Sequence, residues 1–87
     1  MAKYKVTFKK SVAKDFRSIP NQDVRRILSR IDNLQEDPRA VGCTKLSGQE
    51  RYRIRLGVYR IIYEILDEKL LILVVKIGHR GSIYKSM

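Results

Sequence analysis

Arg51, Arg53 and Arg55 alternate with Tyr52, Ile54 and Leu56, and Arg60 follows just beyond Gly57 and Val58. A period of two puts the guanidiniums on one face of a strand and the apolar side chains on the other. With Gly57-Val58 as the turn of a two-residue hairpin, Leu56 pairs with Tyr59, Ile54 with Ile61 and Arg55 with Arg60. Like charges directly opposed on one sheet face repel. An anion that bridges them removes the cost, and phosphate matches the forked donors of guanidinium. The alternative is a solvated basic face on a basic protein.

The C-terminal run Gly78-His79-Arg80-Gly81-Ser82-Ile83-Tyr84 holds further groups able to act on a phosphodiester. A tight turn at Asp67-Glu68 places Arg60 beside Val75, so the chain leaves the sheet close to Arg55 and Arg60. The tail then carries His79, Arg80 and Tyr84 toward them. Arginines with a histidine and a tyrosine suit phosphodiester chemistry without metal. On residue grounds alone, Tyr84 serves equally as an aromatic plug over the sheet, and His79 as a structural or helix-capping histidine. Other chemistries fall away. One His and one Cys, far apart, make no metal cluster, the scattered glycines make no phosphate-cradling loop, and Cys43 has no flanking catalytic motif. Asp67 and Glu68 read as turn residues and Glu64 as a strand residue.

The elements that must position these groups are legible in order. Tyr4, Val6 and Phe8 alternate with lysines and a threonine, which predicts a first strand. Ser11 offers an N-cap to a short helix carrying Val12, Phe16 and Ile19. Pro20 ends that helix and suits the first turn of the next. Val24, Ile27, Leu28, Ile31 and Leu34 predict the buried stripe of the second helix, which Asp37-Pro38 stops. After a loop through Gly42 and Gly48 come the arginine hairpin and a last strand, Leu70–Val75, apolar on both faces and so interior to the sheet. The expected fold is α+β, a single compact domain over residues 1–87, in the order βααβββ. Its sheet is mixed and mainly antiparallel, with two helices on one face.

Nineteen Lys and Arg against nine Asp and Glu give a net charge of +10 on 87 residues. That balance points to a polyanionic partner, nucleic acid or an acidic protein. The basic residues do not gather on one amphipathic helix, which argues against a membrane surface, and no segment reaches the length of a membrane span. An N-terminus without an apolar signal core and a lone cysteine point to the cytoplasm.

Tyr52–Ile65, Asp67-Glu68-Lys69, and Gly78-His79-Arg80 followed by Ile83-Tyr84 resemble the RelE branch of the RelE/ParE toxin superfamily. The resemblance spans nearly the whole chain, including Pro20 and the Lys45-Leu46-x-Gly48 loop. It implies a toxin that cuts mRNA in the ribosomal A site, without cofactor or metal, and that a small acidic antitoxin neutralises. ParE-like relatives instead bind DNA gyrase, and an inactive RNA-binding relative is a third possibility. By this resemblance Arg53 and Arg55 stand where RelE-like enzymes carry two catalytic lysines, Arg60 matches the next-strand arginine, and Arg80 and Tyr84 match the tail residues. Guanidinium stays protonated at any ordinary pH, so Arg53 and Arg55 orient and stabilise charge but are not bases. Tyr84 is then the candidate general base, with His79 in reserve. Lys3, Lys5, Lys9, Lys10, Arg25, Arg26, Arg30 and Arg51 are the expected RNA-gripping residues, with the ribosome and its bound message as partner.

Overall fold

Alternation and turn chemistry assemble the sheet. In a computed structural model that describes residues 3–39, 42–46 and 51–79, the elements are β1 (Lys5–Phe8), α1 (Val12–Arg17), α2 (Asn21–Asn33), β2 (Thr44–Lys45), β3 (Arg51–Leu56), β4 (Tyr59–Leu66) and β5 (Leu71–His79). The strand order is β1-β5-β4-β3-β2. β1 runs parallel to β5 and the other neighbours are antiparallel. The sheet is mixed, β5 lies inside it, and the fold is α+β. Beyond the expected order there is the edge strand β2, whose two residues are too few to show a period.

One face of the sheet carries Tyr52, Ile54, Ile61, Tyr63, Ile65, Ile72, Val74 and Ile77, buried against Val12, Ile19, Ile27, Ile31 and Leu34 from the helical side. Each fully buried aliphatic side chain contributes about 1.5–3 kcal/mol, which makes this contact the main source of stability. Leu28 departs from the expected stripe and is 42% exposed, because it sits at the margin of the apolar arc. Ser11 precedes α1 with helical dihedrals and makes no side-chain cap; a serine caps only from an extended backbone. Pro20 takes the N-cap position of α2, one residue ahead of the helix.

The hairpin pairs as its sequence predicts, with Arg55 opposite Arg60 and Leu56 opposite Tyr59. Gly57 has φ 58° at the first central position of the turn, where a II′ turn favours glycine. The β4–β5 register departs from expectation. Arg60 lies opposite Gly78, not Val75. The turn is a 3₁₀ segment, Asp67–Lys69, followed by Leu70 in the left-handed region, which lengthens it beyond Asp67-Glu68. A bulge between Ile62 and Tyr63 then shifts the register once more. β5 therefore runs on to His79, past the Val75 at which the apolar pattern ends.

Asp67 also ties this turn to the chain after α2. Arg39 donates to its two carboxylate oxygens at 3.2 and 2.8 Å, and the Tyr4 hydroxyl donates at 2.7 Å. The Arg39 and Tyr4 hydrogen bonds hold the carboxyl down at about 2. A carboxylate with a depressed folded pKa stabilises the fold above its unfolded pKa of about 3.9 and loses that contribution as pH falls through the folded value. Acid unfolding of Asp67→Asn, followed by circular dichroism, should therefore depend less on pH than wild type between about 4 and 2. Identical slopes would show the clip to be energetically silent.

Candidate functional site

The face of the sheet turned away from the helices carries the arginines. Arg51 lies opposite Glu64, Arg53 opposite Ile62 and Arg55 opposite Arg60, and Thr44 on β2 lies beside Arg53. At one end of the hairpin an acid meets the arginine: Arg51 Nε donates to Glu64 at 2.9 Å. At the other end the partner across from Arg55 is a second cation. Counting from the two-residue turn makes Arg55 and Arg60 a non-hydrogen-bonded pair, the type with the closer side chains.

Burial sharpens the contrast. Arg60 is 5% exposed, with Nε and Nη1 shut from solvent, whereas Arg55 is exposed and Arg53 half-buried. A guanidinium cannot shed its proton to escape a low-dielectric site, so holding one there costs desolvation energy. Gly78 brings no side chain beside it. The adjacent bulge at Ile62/Tyr63 is the irregularity that re-aims side chains near functional sites. A fixed positive charge at low dielectric, with an exposed arginine across from it, can stabilise negative charge on a phosphoryl group.

His79 does not join this set. It pairs with Tyr59, which belongs to the helix-side face, and its ring meets Tyr59 edge-on at 6.3 Å. The Tyr59 hydroxyl donates to Asp23 of α2 at 2.8 Å, which raises the tyrosine pKa. The expectation of His79 beside Arg55 and Arg60 is thus corrected: one residue beyond Gly78, strand alternation sends it to the opposite face. Arg80 and Tyr84 lie outside the described residues.

The expected RNA-gripping residues divide. Lys5, Lys9, Lys10 and Arg25 are exposed. Lys3 pairs with Glu36 at 3.3 Å and Arg26 with Asp23 at 4.0 Å, contacts weak enough at a surface to exchange for phosphate. Arg51 is held by Glu64. Arg30 is half-buried, set apart from Arg25 and Arg26, and lines a cleft with Arg53 and Arg55. Thr44, on the same cleft, carried no signal in a two-residue strand. Among the described residues no group of His, Cys, Asp or Glu could hold a metal, and no helix is long and apolar enough to cross a membrane.

The family described as the ParE toxin of type II toxin-antitoxin systems, parDE, matches residues 4–84. The putative toxin RelE1 of Methanocaldococcus jannaschii is 28% identical, covering 97% of this chain and 98% of the relative. The mRNA interferase toxin RelE of Escherichia coli K12 is also 28% identical, over 88% of this chain and 83% of the relative. The archaeal RelE in its complex with RelB from Pyrococcus horikoshii superposes with a TM-score of 0.78 at 34% identity, covering 93% of this chain and 98% of that one. A match over nearly the whole length, on a sheet whose outer face carries the arginines described above, places the chain in the ParE toxin family of type II toxin-antitoxin systems, as a RelE-like toxin of the RelE/ParE superfamily.

Proposed function

We propose that this toxin is a ribosome-dependent mRNA endonuclease that arrests translation in the cytoplasm, and that residues 1–87 act as one toxin domain. The observation that carries the reading is the buried Arg60 charge opposite Arg55 on the sheet face turned away from the helices. A protein that only binds a partner has no need to bury a cation there. The E. coli relative named as an mRNA interferase supports the same reading.

In the proposed reaction the ribose 2′-OH gives its proton to a base, and the 2′-oxygen attacks the adjacent phosphorus in line. The bond from phosphorus to the 5′-oxygen breaks and that oxygen takes up a proton, leaving a 2′,3′-cyclic phosphate and a 5′-OH. Arg60 offsets the charge that builds on the phosphorane-like transition state. Arg53 and Arg55 orient the phosphate, Arg80 stabilises the leaving oxygen electrostatically, and Tyr84 is the base. The ribosome supplies the alignment of the 2′-OH with the scissile phosphate. Lys5, Lys9, Lys10 and Arg25 contribute to the grip on ribosomal RNA.

The partner that silences it is a small acidic antitoxin, drawn to the +10 charge with a fast, salt-sensitive on-rate. The Pyrococcus relative was solved with RelB. The test is induced expression with primer extension on ribosome-bound message, alongside a gyrase supercoiling assay. Stops within codons, with supercoiling intact, are the expected result. Loss of supercoiling with intact message would favour the gyrase reading, which the ParE description of the family recommends as the second one. Neither effect, with folded protein present, would make the chain an inactive RNA-binding relative.

A further inference from the structure

A cleft of about 300 Å³ opens at the β3 edge, lined by Arg30, Gly42, Thr44, Arg53, Ile54 and Arg55. Its origin is local. β2 pairs only Thr44 with Arg53 and Lys45 with Tyr52, so β3 projects beyond its edge neighbour. Gly42, at φ 97°, takes a backbone conformation that side-chain-bearing residues avoid. Arg30 approaches from the other side. It follows Ile27 by three positions and precedes Leu34 by four, which sets it on the flank of the buried stripe of α2 rather than on its outer surface.

Three guanidiniums thus converge from a helix and a strand, and none of the described lining residues is an acid. Neither Arg30 nor Arg55 has a carboxylate partner among the described residues. Elsewhere the chain does place acids beside half-buried cations, as Glu64 beside Arg51 and Asp15 beside Lys76 at 3.5 Å. An arginine that gives up part of its hydration without an acid in reach is matched to an anion from outside. The cleft holds roughly the volume of ten waters, room for a phosphate and part of its sugar. Thr44 adds a hydroxyl donor.

We propose that this cleft binds a second phosphate of the same single-stranded RNA, next to the scissile one, with Arg30 as its anchor. Arg53 and Arg55 are common to the cleft and to the Arg60 surface, so a strand crossing from one to the other stays on guanidiniums throughout. This assignment rests on the endonuclease reading for the identity of the strand. It also moves Arg30 from the ribosomal grip to the grip on the message.

The test is binding, read apart from cleavage. A fluorescent hexanucleotide with 2′-O-methyl sugars cannot be cut, and its anisotropy with the full-length protein is measured across a salt series. Arg30→Gln should weaken binding about tenfold at low salt and reduce the slope of log K against log salt by about 0.7, the value for one phosphate on a single strand. Arg17→Gln removes the same charge from the exposed face of α1 and controls for the long-range field. Arg30→Lys should keep the slope yet bind several-fold weaker than wild type, since an ammonium lacks the fork. Equal behaviour of Arg30→Gln and Arg17→Gln, both folded by circular dichroism, would overturn the site. If Arg30→Gln fails to fold, Arg30→Lys decides: wild-type affinity overturns the anchor. A toxin that binds as expected but cuts no message would sink the endonuclease reading and leave the phosphate site standing.

Discussion

Single-turnover cleavage of ribosome-bound message by Arg60→Met should fall by about 10²–10³-fold, with ribosome affinity close to wild type. The charge removed is one that the fold holds out of water, 5% exposed, facing Arg55 across the strand pair. A fixed donor of this kind acts on charge that appears only in the transition state, so its loss registers in the chemical step rather than in binding. Methionine keeps the length and apolar stem, and exchanging a buried charge for apolar bulk is often neutral or stabilising. Thermal unfolding should accordingly show Arg60→Met at least as stable as Arg60→Ala. Cleavage within a few-fold of wild type, at normal stability, would reduce Arg60 to a packing role. Arg55→Met should cost less, because Arg55 is exposed and its interaction with phosphate is screened by water.

The hairpin was legible because two signals agree: alternation from Arg51 to Leu56 and a turn residue where the alternation breaks. Such agreement between local and tertiary preferences is what a foldable sequence shows. The second helix was legible for the same reason, except at Leu28, since a periodic pattern marks an apolar arc but not where the sheet beneath it ends. The position of Arg60 relative to the last strand was not legible. It depends on the number of residues in the Asp67 turn and on one bulge, and neither has a period. An error of this size decides which face His79 occupies. Pattern reasoning put His79 near the arginines by proximity along the chain, whereas strand alternation sends it to the helices. The cleft shared by Arg30 with Arg53 and Arg55 was also hidden, because it joins residues distant in sequence across the edge left by a two-residue strand.

With His79 on the helix side and every other cationic group in the set an arginine, the proton from the 2′-OH has one remaining destination among the residues singled out. Tyr84→Phe should lower single-turnover cleavage by about 10²-fold or more, in the range of a lost general base. A free tyrosine titrates near 10, and a guanidinium placed beside a phenol lowers that value by favouring phenolate. In the proposed role of Tyr84 the wild-type rate should rise with pH until the phenolate has formed and level off above it. The phenylalanine variant should lose that rise. The phenyl ring preserves stacking and packing, so the substitution isolates the hydroxyl. A variant that is fully active, with the wild-type pH profile, would make Tyr84 a platform for a base, leave the proton to a water or an rRNA group, and turn the toxin into a scaffold of fixed charges on which the ribosome performs the acid–base work.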